Sequence, residues 1–128
     1  MQTIPQHANC TVMIVDDELV VREMLRVILE MSGYSVVAEA TDGAEAVALY
    51  LELRPQITLM DLCMPNKNGI DATKEIVAID ENAKVVIFSG INGKDLVKIA
   101  HEAGAKDTLS KPVKLSALKE ILHRVRQM

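Results

Sequence analysis

The chain has 128 residues, 49% hydrophobic and 25% charged, with a formal net charge of -4. That length suits one domain with a sizeable core, and the acidic balance gives no general attraction to nucleic acid or to anionic membranes. No apolar run approaches the roughly 20 residues of a membrane span.

The first ten residues, MQTIPQHANC, have no basic region or apolar core of a secretion signal and are expected to form a flexible lead-in, with the domain proper at 11–128. Cys10 and Cys63 do not form a metal-type pair, so a reduced, cytoplasmic chain is expected. A β-branched run at 11–15 reads as the first strand, followed by a helix near 18–31. On a helical wheel Val21, Met24, Leu25, Ile28 and Met31 share the side expected to face the core. Arg22, Glu23, Arg26 and Glu30 mark the solvated side, with Leu19 among them and i,i+4 pairs expected for Glu18–Arg22 and Arg26–Glu30. A strand at 35–39 and a helix at 43–53 follow, the helix with an apolar stripe of Ala44, Val47, Ala48 and Leu51. Strands at 57–60, 84–88 and 107–109 alternate with helices at 68–79, 93–102 and 115–126.

Asp42, Asn68 and Asn92 each precede an acid by three positions and are expected to cap helices. Gly33 and Gly104 stand where helices should stop. The methionines Met13, Met24 and Met60 are read as core filler, and His7, His101 and His123 as scattered surface groups.

Five strand–helix repeats with short loops imply an α/β fold, a doubly wound five-stranded parallel sheet of order 2-1-3-4-5 with helices on both faces. Such a sheet places its site at the carboxyl ends of the strands. There the first strand delivers Asp16 and Asp17, the third Asp61, the fourth Ser89 and Gly90, and the fifth Lys111 and Pro112. Carboxylate oxygens gathered this way suit Mg²⁺, and a hydroxyl and an ammonium opposite them suit phosphoryl oxygens. Together they suit transfer of a phosphoryl group onto Asp61.

The motifs VDDE at 15–18, TLMDLCMPNKNG at 58–69, FSG at 88–90 and LSKP at 109–112 resemble those of CheY-like receiver domains of the bacterial response-regulator family. The resemblance runs from about residue 11 across the rest of the chain, and implies the flavodoxin-like three-layer sandwich. It implies that Asp61 accepts phosphate from the phosphohistidine of a sensor histidine kinase or histidine phosphotransfer protein, in two-component signalling. It further implies Mg²⁺ held directly by Asp17 and Asp61, through water by Asp16, and by the backbone carbonyl of Cys63. Ser89 and Lys111 would contact the phosphoryl group, and Pro112 would follow a cis peptide bond. With no output domain in view, the expected action is docking to a downstream protein or onward phosphate transfer, with Leu19 as a kinase-docking residue. The chain would catalyse its own phosphorylation and dephosphorylation without being a conventional enzyme.

Two positions depart from the family pattern. Thr108 stands where an aromatic switch residue is usual, three before the lysine, so the switch falls to Ser89 and Thr108. Cys63 and Ile91 flank the expected path of the attacking water without a strong polar anchor, which predicts slow self-dephosphorylation. The alternative on the same fold is a phosphorylation-independent interaction module. A flavodoxin-type flavin protein is disfavoured because VDDE would repel a phosphate after the first strand.

Overall fold

Short β-branched runs and amphipathic segments alternate five times along the chain, and each becomes the element its pattern indicates. The structure, a computed structural model, describes residues 10–90 and 94–128. The strands are β1 Thr11–Val15, β2 Ser35–Ala40, β3 Ile57–Asp61, β4 Val85–Ser89 and β5 Asp107–Ser110. The helices are α1 Leu19–Met31, α2 Gly43–Leu53, α3 Gly69–Ile79, α4 Lys94–Ala103 and α5 Leu115–Arg126. All strand pairs are parallel, in the order β2-β1-β3-β4-β5.

Alternation along the strands divides the core into two layers. Val12, Ile14, Leu59 and Phe88 pack with Leu25 and Leu29 of α1 and with Leu118, Leu122 and Val125 of α5. On the other face Met13, Val15, Met60 and Ile87 meet Ala46 and Tyr50 of α2, Ala72 and Ile76 of α3 and Ala100 of α4. Every residue of β3 and β4 is buried, as central strands covered on both sides require.

Local signals act as expected at several helix ends. Asp42 accepts from the Glu45 amide at 2.8 Å, and Asn68 from the Asp71 amide at 2.9 Å. Gly33 and Gly104 have φ of 90° and 103°, the left-handed backbone that ends a helix. Asn92 lies outside the described residues, as do residues 1–9 of the expected lead-in with His7, whereas its last residue, Cys10, is buried in the core beside Val12 and Tyr34 rather than flexible.

Three side-chain expectations are corrected. Met24 and Met31 do not face the core: they are 42% and 83% exposed, while Leu25 and Leu29 are buried with Val21 and Ile28 packed beside them. Helix α1 carries two neighbouring apolar stripes, and only one can meet the sheet. The buried stripe of α2 is Gly43, Ala46 and Tyr50 with Val47 beside them, whereas Ala44, Ala48 and Leu51 are exposed. That face wins because the Tyr50 ring fills the layer while its hydroxyl reaches Asp80 at 2.9 Å. Arg22 pairs with Glu39 of β2 at 3.2 Å instead of with Glu18, and also donates to the Asp16 carbonyl at 2.7 Å. The Arg26–Glu30 pair forms at 3.0 Å, and in α5 Leu115 is exposed while Leu118, Ile121, Leu122 and Val125 are buried.

Candidate functional site

The parallel register brings the carboxyl ends of four strands to one edge. Val15 lies beside Met60, Asp61 beside Phe88, and Ser89 beside Ser110. Asp16 is therefore next to Asp61 in space, and Lys111 follows on the far side of β4.

Lys111 joins the two acids. Its ammonium is 3.2 Å from Asp16 Oδ2 and 3.2 Å from Asp61 Oδ1, and sits 5.0 Å over the Phe88 ring. Its amide donates to the Ser89 carbonyl at 2.8 Å, which fixes the start of the β5–α5 loop against β4. The Lys111–Pro112 peptide bond is cis.

Asp16 is fully buried, its other oxygen accepting from the Glu18 amide at 2.8 Å. Asp61 is only 4% exposed. Burial raises its pKa above the ordinary carboxylate value and the Asp16 charge adds to this, while Lys111 and the Cys63 amide act in the opposite direction. For Lys111, burial opposes the charge, but the Asp61 and Asp16 carboxylates outweigh it and hold the ammonium protonated more firmly than usual. Ser89 is buried, and Gly90 is exposed with nothing within 4 Å of where a Cβ would stand.

The loop after Asp61 is clamped by two glycines, Gly69, which closes the TLMDLCMPNKNG motif, and Gly43. A Cβ on Gly69 would lie 2.1 Å from the Asp61 carbonyl oxygen, and one on Gly43 would lie 2.5 Å from that of Lys67. Side chains at either position would push the loop away from the acids. Asn66, at φ 64°, adds a bond to Asp42 at 2.9 Å.

An acidic cluster that could hold a hard cation is also present. Oxygens of Asp16, Asp17 and Glu18 all lie within 4.8 Å of one another. Hard carboxylate donors at that spacing, one buried and two exposed, fit Mg²⁺. Glu18 is the member the motif reading did not assign to the metal, although VDDE contains it. Asp61 is outside this group of three and is tied to it through Lys111. Cys63 is exposed on the loop, Thr108 is half-buried, and Ile91 lies outside the described residues.

The raised Asp61 pKa has a consequence for stability. Its neutral form is the one the fold favours, so its stabilising contribution is present at low pH and is lost as pH rises through the raised value. In metal-free buffer Asp61→Asn should therefore melt higher than the native chain at neutral pH, the gap closing as pH falls below the ordinary carboxylate range. Thermal melts from pH 3 to pH 7 check this (about the span over which such a carboxylate titrates), and a lower melting temperature for the variant at pH 7 would contradict it.

Comparison with known proteins agrees with this geometry. A family model described as "Response regulator receiver domain" matches residues 12–123. "Chemotaxis protein CheY" of Thermotoga maritima is 48% identical over 114 residues, covering 89% of this chain and 95% of that one. "Chemotaxis protein CheY" of Bacillus subtilis is 40% identical, covering 88% and 94%. Among solved structures, the CheX-CheY-BeF3-Mg+2 complex from Borrelia burgdorferi aligns with a TM-score of 0.89 at 29% identity, covering 95% of this chain and 98% of that one. No helix among the described residues is long and apolar enough to cross a membrane.

Proposed function

The chain belongs to the response regulator receiver domain family, and on that premise we propose that it takes a phosphoryl group onto Asp61 and uses it to switch its protein-binding surface. The observation that carries this reading is one nearly buried carboxylate at the end of β3, flanked by Asp16 and reached by the Lys111 ammonium at 3.2 Å.

The rigid sheet would hold an Asp61 oxygen to attack phosphorus in line with the leaving group. Lys111 then has a phosphoryl oxygen as its partner in place of bare carboxylate, and the Ser89 hydroxyl donates to another. Asp17, Asp61 and the Cys63 carbonyl would hold Mg²⁺, with Asp16 acting through water. The ion would offset the charge of the transferring group. Movement of Ser89 toward the phosphoryl group would be read at Thr108 on the neighbouring strand. The donor is a sensor histidine kinase or phosphotransfer protein, the recipient of the signal a downstream protein, and the compartment the cytoplasm. Intact-mass measurement after treatment with acetyl phosphate and Mg²⁺ tests the reading. One added phosphoryl group is expected, and an unchanged mass would overturn it.

Kinase docking is assigned to the start of α1. Leu19 is 57% exposed in the first turn, beside Asp17 and Glu18. Val20, Met24, Val27 and Met31 form a neighbouring exposed apolar stripe along the helix at spacings of four, three and four. A partner helix laid on that stripe would bring a phosphohistidine toward Asp61. Burying Leu19 should contribute roughly 1.5 kcal/mol or more, so Leu19→Ala should slow transfer from the phosphorylated kinase about 10-fold. Phosphorylation by acetyl phosphate should be unchanged. Equal slowing with both donors would indicate damage to the pocket, and no slowing with either would remove Leu19 from the interface.

A further inference from the structure

The end of the sheet opposite the acids holds a cavity of about 410 Å³, inside the range of small-ligand sites, roughly 300–1,000 Å³. It lies where α2 ends and where β3, β4 and β5 begin. Three of its lining residues are cationic: Arg54, Lys84 and Lys106.

These cations have capacity left. Arg54 has φ 46°, and its guanidinium stands 5.6 Å over the Tyr50 ring, 4.0 Å from Asp80, the one carboxylate side chain in the lining. Asp80 is already engaged, accepting from the Tyr50 hydroxyl at 2.9 Å and the Asn82 amide at 3.0 Å. Lys84 donates one bond to the Arg126 carbonyl at 3.0 Å, which leaves two of its N–H groups. Lys106 is exposed, and its ammonium has no hydrogen bond or ion pair among the described residues. On a chain of net charge -4, three cationic side chains facing one committed acidic side chain make a local reversal of sign. Five residues of strand, about 17 Å, separate this pole from Asp61.

We propose that this cavity binds a small phosphate-bearing anion, at a site separate from the Asp61 crevice. The planar fork of Arg54 matches two phosphate oxygens, and Lys84 and Lys106 supply point charges to the others. The Asn82 and Gln56 side-chain amides, also in the lining, can donate to what remains. An anion with a single charge would satisfy only part of this set, so a diphosphate is the better match.

Inorganic pyrophosphate, titrated into the full chain without Mg²⁺ and followed by amide NMR, tests the proposal. Saturable shifts are expected at Gln56, Asn82, Lys84 and Lys106. Lys106→Ala and Arg54→Ala should each weaken binding about 10-fold, as expected for losing a hydrogen bond to a charged group. Lys111→Ala, at the other end of the sheet, should leave the affinity unchanged. Shifts that never saturate, or that sodium chloride reproduces at matched ionic strength, would overturn the proposal. So would unchanged affinity in Lys106→Ala, an exposed position where folding is not at stake, or loss of binding in Lys111→Ala. Both cavity variants should accept phosphate from acetyl phosphate like the native chain, so failure here is distinct from failure of the Asp61 reading.

Discussion

Asp61→Asn is expected to abolish phosphoryl uptake from acetyl phosphate, a loss of at least ~10³-fold of the kind seen when a nucleophile is removed. The substitution keeps the shape of the side chain but replaces one carboxylate oxygen with an amide nitrogen and removes the charge, so the pocket stays formed while the nucleophile is lost. No neighbouring acid can take over. Asp16 is fully buried, and its two oxygens are committed to the Glu18 amide and to Lys111. Asp17 and Glu18 are exposed on the approach to α1 and lack the rigid strand that orients Asp61. Intact mass and peptide mapping after treatment check this. A phosphoryl group found on the variant would transfer the acceptor role to another residue.

Withdrawing Mg²⁺ should be almost as damaging, slowing phosphorylation by about 100-fold or more, and Asp17→Ala should reproduce the loss in the presence of the ion. The cause is electrostatic. Three carboxylates with oxygens within 4.8 Å of one another, and Asp61 beyond them, face an incoming phosphoryl dianion with Lys111 as the cation that, among the described residues, joins Asp16 to Asp61. Asp17 is exposed, so its removal should leave the fold intact and act through the metal. Calorimetric titration of Mg²⁺ gives a readout independent of phosphorylation. Undiminished Mg²⁺ affinity in Asp17→Ala would take that residue out of the ligand set. An undiminished rate without the ion would make the chemistry metal-independent.

Much of this site was legible in the chain. Asp16, Asp17, Asp61, Ser89 and Lys111 all follow apolar strand runs, and parallel strands joined by helices necessarily bring their carboxyl ends to one edge. The caps at Asp42 and Asn68 were legible because the bond each makes spans three residues. The clamp on the Asp61 loop was not. Gly69 and Gly43 are recognisable as requirements only once the Asp61 and Lys67 carbonyls are seen within 2.1 and 2.5 Å of where a Cβ would stand.

What the sequence determined by itself is what depends on neighbours in the chain: the alternation of elements, their boundaries to within a residue or two, and the order in which polar groups arrive at the strand ends. Tertiary structure decided what depends on distant neighbours. Helix α1 has two apolar stripes of similar strength, and the contact of Leu25 and Leu29 with Val12 and Ile14 selects one and leaves Met24 and Met31 in solvent. Arg22 prefers Glu39, 17 positions away, to Glu18 on its own helix because β2 places that carboxylate within 3.2 Å. Lys111 finds Asp16 across 95 positions and Asp61 across 50. Periodicity tells which residues share a face. Which face is buried, and which charges meet, follows from the packing of elements that the chain connects only at a distance.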